Sequence, residues 1–415
     1  MTAFYDPGEA APPAERAARE AAALRALVAH AVANAPAARR LFERAGVDPS
    51  SIRERGDLAA LPITRKEDLP ELQRAEPPLG GWQGMPIEQY RYLFLSPGPI
   101  MEPAAGPGYW RTARAFFAAG FRAGDIVLNT FAYHLTPAGH MGDDGVHPLG
   151  GIVIPGGVGN TETQARLLEQ AGVTGFFGIP SFLVAILEKA EELGIGRERR
   201  RLSRALVSGE MFPESLRARL RDEFGVEAYQ AYLTADLGLV AFECAVRQGM
   251  HIADDILVEV VDLETGRPVP EGEVGQVVAT AIGAPAYPLI RFGTGDLSVV
   301  SHAPCPCGRT SSRLVRMAGR VGDAVKVRGL FVHAKEADGV VAEFPAVARY
   351  RLVVTRKGHQ DILTCEIETR GPVDEQALAA RLRDVLKLRV DAVVVVPPGT
   401  FPERYKRLDD RRVWS

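Results

Sequence analysis

The chain has 415 residues, which is too long for one ordinary hydrophobic core and suits two or three domains. Hydrophobic residues make up 46% and charged residues 24%, the balance of a soluble globular protein. With 49 basic and 52 acidic side chains the net charge is −3, so no broad positive surface is expected for nucleic acid or for an anionic membrane. Four cysteines are too few for a disulfide framework, and the first residues lack the basic start and apolar run of a signal peptide. We therefore expect a cytoplasmic, reduced protein without nucleic-acid or membrane partners.

The first half of the chain alternates predicted strands and helices. A helix rich in Ala, Leu, Arg and Glu is predicted over residues 14–32, and an apolar strand over residues 90–95. Further strands are predicted at 126–131, 151–154, 175–178 and 205–208, and helices at 109–119, 161–170, 181–193 and 213–224. This rhythm is typical of an α/β protein with a mostly parallel, doubly wound sheet and helices on both faces.

The pattern changes twice in the second half. Short alternating strands at 256–262 and 274–281 surround a turn-rich segment, which predicts a β-rich subdomain over about 237–318. After residue 319 the order strand, strand, helix, strand predicts a small α+β unit, with elements at 350–355, 362–369, 373–386 and 392–396. We therefore predict a large N-terminal domain of residues 1–318 and a small C-terminal domain of residues 319–415.

Three cysteines and one histidine form a candidate metal site. Six residues separate Cys244 from His251, and Cys305 and Cys307 flank one proline in a glycine-containing turn. Three thiolates and one imidazole complete a tetrahedral zinc set of the closed, structural kind. The alternative is that these cysteines are small buried hydrophobic residues, which is what we expect for Cys365 in its apolar strand.

Two further segments carry polar residues suited to a nucleotide. Residues 287–296 predict a strand that ends in a tight glycine turn at Asp296, whose carboxylate can accept both hydroxyls of a ribose. A second polar set follows a predicted strand and precedes a helix, where doubly wound sheets bind ligands: Ser208, Gly209 and Glu210. Both segments also fit ordinary turns, and Arg320 fits a solvated residue at the domain boundary.

Short segments spread over nearly the whole chain resemble one family, in that family's order. They are LPITRKEDL (61–69), PGGVGNTETQ (155–164), GIPSF (178–182), SGEMF (208–212), FEC (242–244), GMHIADD (249–255), YPLIRFGTGDLS (287–298), CPCGRTSSR (305–313) and MAGRVGDAVKVRG (317–329). Through them the chain resembles the phenylacetate–CoA ligase family, a branch of the acyl-adenylate-forming enzymes. Several members of that family carry a zinc site of this Cys/His kind, so the resemblance favours structural zinc.

The resemblance implies the adenylate-forming ligase fold and a reaction in two steps. ATP, with magnesium, and an aryl or acyl carboxylate give an acyl-adenylate and pyrophosphate, and coenzyme A then takes the acyl group. The small C-terminal domain rotates between the two half-reactions. The expected small-molecule partners are therefore the carboxylate or its CoA thioester, and the resemblance also implies a homodimer.

The resemblance carries over to individual residues. Those matching its nucleotide-binding positions are Ser208, Gly209, Glu210, Tyr232, Thr234, Asp236, Asp296 and Arg320. Among them, Asp296 would hold the ribose and Arg320 would lie beside the hinge. The acyl slot would be lined by Phe131, Tyr133, Pro180 and Ser181. His134 lies in the same cleft segment, near His140, and could serve an acid–base pair or a second metal, or simply face water from a loop.

The phosphate loop departs most from the family pattern. Where the family's loop resembles S-S-G-T-T-G-K-P, residues 96–103 read S-P-G-P-I-M-E-P. Pro97 and Pro99 remove two backbone N–H donors. Glu102 replaces the lysine, and at an effective dielectric of ~20 each close charge pair is worth up to about 4 kcal/mol. We therefore expect Glu102 to repel a triphosphate.

Other positions depart in the same direction. Ala235 replaces a threonine that touches phosphate in the family, and Asp236 replaces a longer glutamate that is linked to magnesium. Gly322 occupies the position of the family's first acidic hinge residue, and Asp323 follows it. Lys406 is the candidate for the C-terminal catalytic lysine, although it also fits an ordinary basic residue of the tail.

Three functions follow from these features. The first is an acid–CoA ligase whose phosphate site is rebuilt with Lys66, Arg111 or Arg114, although the two arginines fit a solvated helix face better than a phosphate site. The second is a non-adenylating homologue that binds nucleotide or acyl-CoA as a binding or regulatory protein. The third is an enzyme that performs only thioester transfer on a preformed acyl-CoA or acyl-adenylate. A retained Asp296 beside an altered loop favours the second and third.

Overall fold

The computed structural model describes residues 4–96, 98–263, 265–321, 324–328, 330–358, 360–402 and 405–412. Its α-helices are α1 (Pro13–Asn34), α2 (Pro36–Ala45), α3 (Leu69–Ala75), α4 (Ala113–Ala118), α5 (Ala138–Val146), α6 (Thr161–Gln170), α7 (Pro180–Glu192), α8 (Glu214–Asp222), α9 (Ala334–Ala342) and α10 (Glu375–Leu386). Its strands are β1 (Thr64–Arg65), β2 (Tyr92–Ser96), β3 (Ile100–Ala104), β4 (Ile126–Asn129), β5 (Ile152–Pro155), β6 (Gly175–Gly178), β7 (Arg204–Val207), β8 (Glu227–Thr234), β9 (Gly238–Glu243), β10 (Met250–Ile252), β11 (Leu257–Val261), β12 (Val274–Thr280), β13 (Phe292–Ser301), β14 (Arg313–Arg320), β15 (Ala324–Val327), β16 (Leu330–His333), β17 (Val347–Lys357), β18 (Gln360–Thr369), β19 (Ala392–Val395) and β20 (Leu408–Asp410).

The chain divides into two compact units. The first comprises Met1–Phe212 and Arg217–Gly319, and the second Pro213–Leu216 and Arg320–Ser415. The first unit is built on one large sheet with the strand order β11-β12-β13-β14-β10-β9-β8-β7-β6-β4-β5, and β1 pairs with β13. Strands β4 to β8 pair in parallel, whereas β8 to β12 pair antiparallel. The predicted combination of a doubly wound α/β region and a β-rich region is therefore confirmed.

Periodicity located the elements of the parallel region well. The predicted helix at 14–32 is α1, and α6 and β6 have the predicted bounds. All four residues of β6 are buried, as expected for an inner strand covered by helices on both faces. Short apolar runs between turn residues therefore identified the inner strands.

Helix α5 forms the later part of the cleft segment, whereas His134 lies before it in an exposed loop, as the water-facing alternative expected. A Cβ added to Gly142 would lie 2.7 Å from the ring of Phe177, and one added to Gly145 would lie 2.2 Å from the ring of Phe116. The glycines thus let α5 approach its neighbours closely, and the resulting sequence lacks the apolar stripe of an ordinary helix. The carboxylate of Asp144 accepts hydrogen bonds from the backbone N–H groups of Gly108 and Trp110.

The tight turn predicted at Asp296 is wrong. Strand β13 continues through this position, but its register with β12 shifts, so that Gly293 pairs with Val278 and Leu297 with Gln276. Three residues of β13 therefore stand opposite one residue of β12, which is a bulge. Gly295 has a φ of +79° within it. The bulge changes the direction of the Asp296 side chain relative to a regular strand, and the strand continues beyond it.

The second unit is a small α+β structure, as predicted for the C-terminal region. Its four-stranded sheet has the order β19-β18-β17-β20, and β15 and β16 form a separate hairpin. Helices α9 and α10 contribute Ala337 and Leu378 to a core that also contains Leu352 and Leu363. Cys365 is fully buried in this core, which confirms its predicted place.

No helix in the described part of the chain has both the length and the apolar character needed to cross a lipid bilayer.

A buried ion pair fastens the start of β13. Arg291 is 3% exposed and pairs with Glu259, which is 6% exposed, with 3.1 Å between guanidinium nitrogen and carboxylate oxygen. The same guanidinium donates to the carbonyl oxygens of Leu61 and Gly266. The carbonyl of Arg291 in turn accepts the N–H of Thr64 at 2.9 Å, next to the pairing of β1 with β13.

We predict that Arg291→Met lowers the free energy of unfolding of the protein by about 3–5 kcal/mol, because it leaves the Glu259 carboxylate buried without its partner. Denaturant unfolding followed by intrinsic fluorescence measures the change. Arg166→Met is the matched control, since Arg166 pairs with Glu162 across 2.8 Å but both side chains are about half exposed. It should cost less than about 1 kcal/mol. Equal costs for the two variants would contradict the assignment.

Candidate active site

The parallel strands create a crevice at one point of the sheet. Their spatial order is β5-β4-β6-β7-β8. The chain therefore continues from β4 to β5 on one side of β4, and then crosses to form β6 on the other side. Loops that follow β4 and β6 therefore diverge, and ligands of doubly wound proteins bind in such a crevice at the carboxyl ends of the strands. The predicted acyl-slot residues follow β4 and β6, and the Ser208–Glu210 segment follows β7.

Aromatic side chains line the crevice after β4. The ring of Phe131 packs edge-on against Phe177, with 4.7 Å between ring centres. The hydroxyl of Tyr133 accepts a hydrogen bond from the Asn129 amide and donates one to the Asp143 carboxylate, each at 2.7 Å. Burial and the Asp143 acceptor raise the pKa of Tyr133 far above its usual range, so this phenol stays a neutral donor.

His134 behaves differently from its predicted neighbours in the slot. It is exposed, whereas Phe131 and Tyr133 are half-buried. The imidazole of His140 instead packs between aromatic rings, with its centre 5.2 Å from those of Tyr92 and Tyr133. A role of these histidines as an acid–base pair or as a second metal site is therefore not supported by their surroundings.

The segment after β7 is joined to the start of α7. Gly209 has a φ of +87°, a conformation that favours glycine, and it turns the chain so that Glu210 points back toward α7. Glu210 accepts the backbone N–H of Ser181 at 2.6 Å and the Ser181 hydroxyl at 3.0 Å. Ser208 and Pro180 beside them are buried. The predicted adenine-binding segment and the predicted acyl slot therefore share a wall.

The carboxylate predicted to bind ribose is oriented by a phenol. Tyr232 in β8 donates a hydrogen bond of 2.7 Å to Oδ2 of Asp296 in β13. Both side chains are half-buried. Two residues further along β8, the hydroxyl of Thr234 accepts the N–H of Leu237 at 3.1 Å, which shapes the turn that carries Asp236. The structure thus brings the matched residues of β8 close to Asp296.

The position of the phosphate loop is occupied by a buried polar cluster. Glu102 lies in the β2–β3 hairpin, is 1% exposed and accepts the Ser96 hydroxyl at 2.7 Å. The ammonium of Lys66 lies 2.5 Å from Oδ2 of Asp236, whose side chain is fully buried. Burial, followed by the nearby Asp236 charge, raises the pKa of Glu102 to about 8. This shift favours the neutral form of the Glu102 carboxyl group, whereas the sequence indicated a charged one.

The three cations considered for a rebuilt phosphate site make internal contacts. Lys66 pairs with Asp236, as described above. Arg114 lies 2.6 Å from Asp255, and the guanidinium of Arg111 donates to the carbonyl oxygens of Tyr109 and Leu237. Burial lowers the pKa of Arg111 from its usual value, although it stays charged. The alternative in which both arginines lie on a solvated helix face is wrong.

The four predicted metal ligands meet at one point. Their sulfur and nitrogen atoms all lie within 4.8 Å of one another. The Cys244 and Cys305 sulfurs are 3.8 Å apart, and Cys307 Sγ lies 3.4 Å from Nε2 of His251. Cys244 follows β9, His251 lies in the paired strand β10, and β10 also pairs with β14, which begins just after the cysteine turn. Burial lowers the pKa of His251 to about 4, so the imidazole is neutral, which is the form that binds metals.

The remaining predicted residues belong to the second unit. Arg320 ends β14 and is half-buried. Lys406 is exposed and follows Tyr405, whose ring stacks on Phe401 with 4.9 Å between centres. The hinge residues Gly322 and Asp323, and also Pro97 of the phosphate loop, lie outside the described residues.

Comparison with known proteins identifies the family of this chain. Residues 149–283 match the family model described as AMP-binding enzyme. The phenylacetate-coenzyme A ligase of Thermus thermophilus is 32% identical over 414 residues, covering 91% of this chain and 92% of that relative. The enzyme of the same name from Escherichia coli is 30% identical over 422 residues, covering 96% and 94%.

A solved structure extends the likeness to three dimensions. The 2-hydroxyisobutyryl-CoA ligase in complex with 2-HIB-AMP and CoA, in the thioesterification state, aligns with a TM-score of 0.86 at 26% identity, covering 99% of this chain and 93% of that one. The fold is thus that of the adenylate-forming ligases. By its sequence identity over nearly its whole length, the chain belongs to the phenylacetate–coenzyme A ligase family of AMP-binding enzymes.

Proposed function

We propose that this protein makes an acyl-CoA thioester through an acyl-adenylate, with an aromatic or other acyl carboxylic acid as the acyl source. The hydrogen bonds between Glu210 and Ser181 carry this proposal. They join the segment matched to adenine binding and the segment matched to the acyl slot into one crevice. An acyl-adenylate contains both an acyl group and an adenosine, so a crevice with these two walls suits it. The relatives named phenylacetate-coenzyme A ligase support the same chemistry.

Each side of the crevice has a proposed role in holding the adenylate. Asp296 accepts the ribose hydroxyls, and Tyr232 orients its carboxylate. The adenine lies against Ser208, Gly209 and Glu210, and the acyl group lies among Phe131, Tyr133, Pro180 and Ser181. Thr234 and Asp236 lie on the phosphate side. His134, which is exposed, would contact only the outer end of the acyl group.

The thioester step follows from these positions. The CoA thiolate attacks the acyl carbon, the bond from that carbon to the phosphate oxygen breaks, and AMP leaves while the thiol proton goes to solvent. Residues 319–415 are proposed as the mobile small domain that brings Arg320 and Lys406 to this step. An ordinary role of Lys406 in the basic tail is the alternative. Cytoplasmic location and a homodimer stay predictions of the sequence.

We further propose that Cys244, His251, Cys305 and Cys307 hold structural zinc. Zn–S bonds of about 2.3 Å in a tetrahedron place two sulfurs about 3.8 Å apart, and a sulfur and a nitrogen about 3.5 Å apart. The distances of 3.8 Å and 3.4 Å in the cluster agree with these values. The carbonyl of Ser311, 3.3 Å from Nδ1 of His251, leaves Nε2 to face the sulfurs. Zinc there would cross-link the turn after β9 to the turn before β14.

We predict that the purified protein contains about one zinc per chain, and that Cys305→Ser loses most of it because a hydroxyl is a poor zinc ligand. Zinc released on denaturation, measured with a chromogenic chelator, gives the stoichiometry. Cys365→Ser is the control, because Cys365 is also fully buried but lies in the core of the second unit. Equal zinc contents in the two variants, or none in the unmodified protein, would refute the metal site.

We predict that Asp296→Asn weakens AMP binding about 10- to 100-fold, because charge-assisted hydrogen bonds to the ribose are replaced by neutral ones. Calorimetric titration with AMP measures the affinity. Asp222→Asn is the control, since this carboxylate on α8 is 63% exposed and lies outside the crevice. An unchanged affinity in Asp296→Asn would remove Asp296 from the nucleotide pocket.

A further inference from the structure

We infer that this crevice takes an adenylate with a single phosphate, such as a preformed acyl-adenylate, in place of a nucleoside triphosphate, because Glu102, Asp236 and Lys66 fill the position of the phosphate loop. The inference rests on the proposed function and narrows its substrate. Three observations carry it, and they concern the carboxyl groups, the backbone donors and the available cations.

The two carboxyl groups share one proton. One oxygen of Glu102 accepts from Ser96, and one oxygen of Asp236 pairs with Lys66. Their other oxygens, Oε2 and Oδ1, are buried and receive no hydrogen from the described N–H and O–H groups. The two side chains lie in hydrogen-bonding contact with each other. A proton on Glu102 donated to Asp236 gives both oxygens a partner and avoids two adjacent buried anions.

Backbone groups of three described hairpin residues, Pro99, Ile100 and Met101, are unsuited to binding phosphate. The N–H of Met101 donates to the side chain of Gln73 at 2.7 Å, and the Gln73 amide donates to the Met101 carbonyl at 2.8 Å. Pro99 has no N–H at all. Ile100 stands opposite Ser96 in the β2–β3 pairing and is 3% exposed. A loop that cradles phosphates needs several N–H groups pointing into open space, and these residues do not provide them.

The cluster is electrically balanced without a ligand. Lys66 carries one positive charge, Asp236 one negative charge, and a protonated Glu102 none. The β- and γ-phosphates of ATP would have to displace the Asp236 carboxylate from Lys66 or lie beside the two carboxyl groups. An acyl-adenylate has only the phosphate next to the ribose, so it does not need this position.

The resulting reaction balances without ATP. An acyl-adenylate and the CoA thiol give the acyl-CoA thioester, AMP and one proton, and the same steps in reverse turn acyl-CoA and AMP into acyl-adenylate and CoA. A separate adenylating reaction, which consumes ATP and releases pyrophosphate, must then supply the acyl-adenylate. This makes the protein the thioester-forming half of a two-protein ligase reaction.

We predict that the unmodified protein binds AMP but binds magnesium–ATP about 100-fold more weakly or not at all, because the second and third phosphates meet a filled, neutral position. Calorimetric titration with each nucleotide tests this without knowledge of the acid. Equal affinities would overturn the inference and leave the proposed function standing. If AMP does not bind, the proposed function fails, and the inference fails with it.

Two variants at one position sharpen this test. Glu102→Lys restores a cation, so ATP affinity should rise at least about tenfold with little change for AMP. Glu102→Gln keeps the shape and a donor toward Asp236, so it should discriminate against ATP as the unmodified protein does. A folded Glu102→Lys protein with unchanged ATP affinity, or ATP binding gained in Glu102→Gln, contradicts the inference. Thermal unfolding verifies that each variant is folded.

The shared proton has a readout that does not involve a nucleotide. The groups facing Glu102 are Asp236, Lys66 and Ser96, with the phenols of Tyr109 and Tyr287 near both carboxyls. Because folding raises the pKa of Glu102 from 4.5 to about 8, the folded protein binds more protons than the unfolded chain between these values. We predict that stability falls as pH rises from about 5 to about 8, and that Glu102→Gln reduces this fall. The free energy of unfolding, measured with denaturant, is followed against pH. Equal slopes for the unmodified protein and Glu102→Gln would contradict the shared proton.

Discussion

The pairing of Arg291 with Glu259 holds together the parts of the molecule on which the crevice depends. If the Arg291 guanidinium moved away, the Glu259 carboxylate would be an unpaired charge in the protein interior. The ion pair therefore fixes the start of β13 relative to Glu259. Asp296 lies further along the same strand. Strand β1 pairs with β13 and is followed directly by Lys66, so the same ion pair also helps to position Lys66. The candidate ribose acceptor Asp296 and the cation Lys66 therefore both lie on chain segments that this buried ion pair holds in place.

Much of the fold could be predicted because the signals are local. The inner strands of the parallel region are short apolar runs between turns, so periodicity identified β6 and α6 with their bounds. The metal ligands could be predicted from residue type, since three cysteines and a histidine have few other uses in turn-rich sequence. Their convergence depends on the pairing of β10 with β9 and β14, which brings His251 between the two cysteine segments.

What could not be predicted depends on distant partners. Lys66 and Asp236 are 170 residues apart, and nothing in either neighbourhood indicates the other. Glu102 was expected to be charged because its burial follows only from the hairpin and from α3. Asp296 was expected in a turn because two glycines, Gly293 and Gly295, come just before it, whereas pairing with β12 continues the strand as a bulge. Sequence therefore indicated that residues 96–103 depart from the family pattern, while the contacts among Glu102, Asp236 and Lys66 required the three-dimensional structure.

The contact between β1 and β13 has a consequence for folding during synthesis on the ribosome. Thr64, in β1, hydrogen-bonds to the carbonyl of Ile290, which lies 226 residues later. At a synthesis rate of roughly 5–20 residues per second, the earlier segment waits on the order of 10–50 seconds for its partner to be made. During that interval the helices and parallel strands between them can assemble, but the side of the crevice that carries Asp296, the proposed ribose acceptor, cannot. The crevice is thus a late product of folding, completed after most of its scaffold exists.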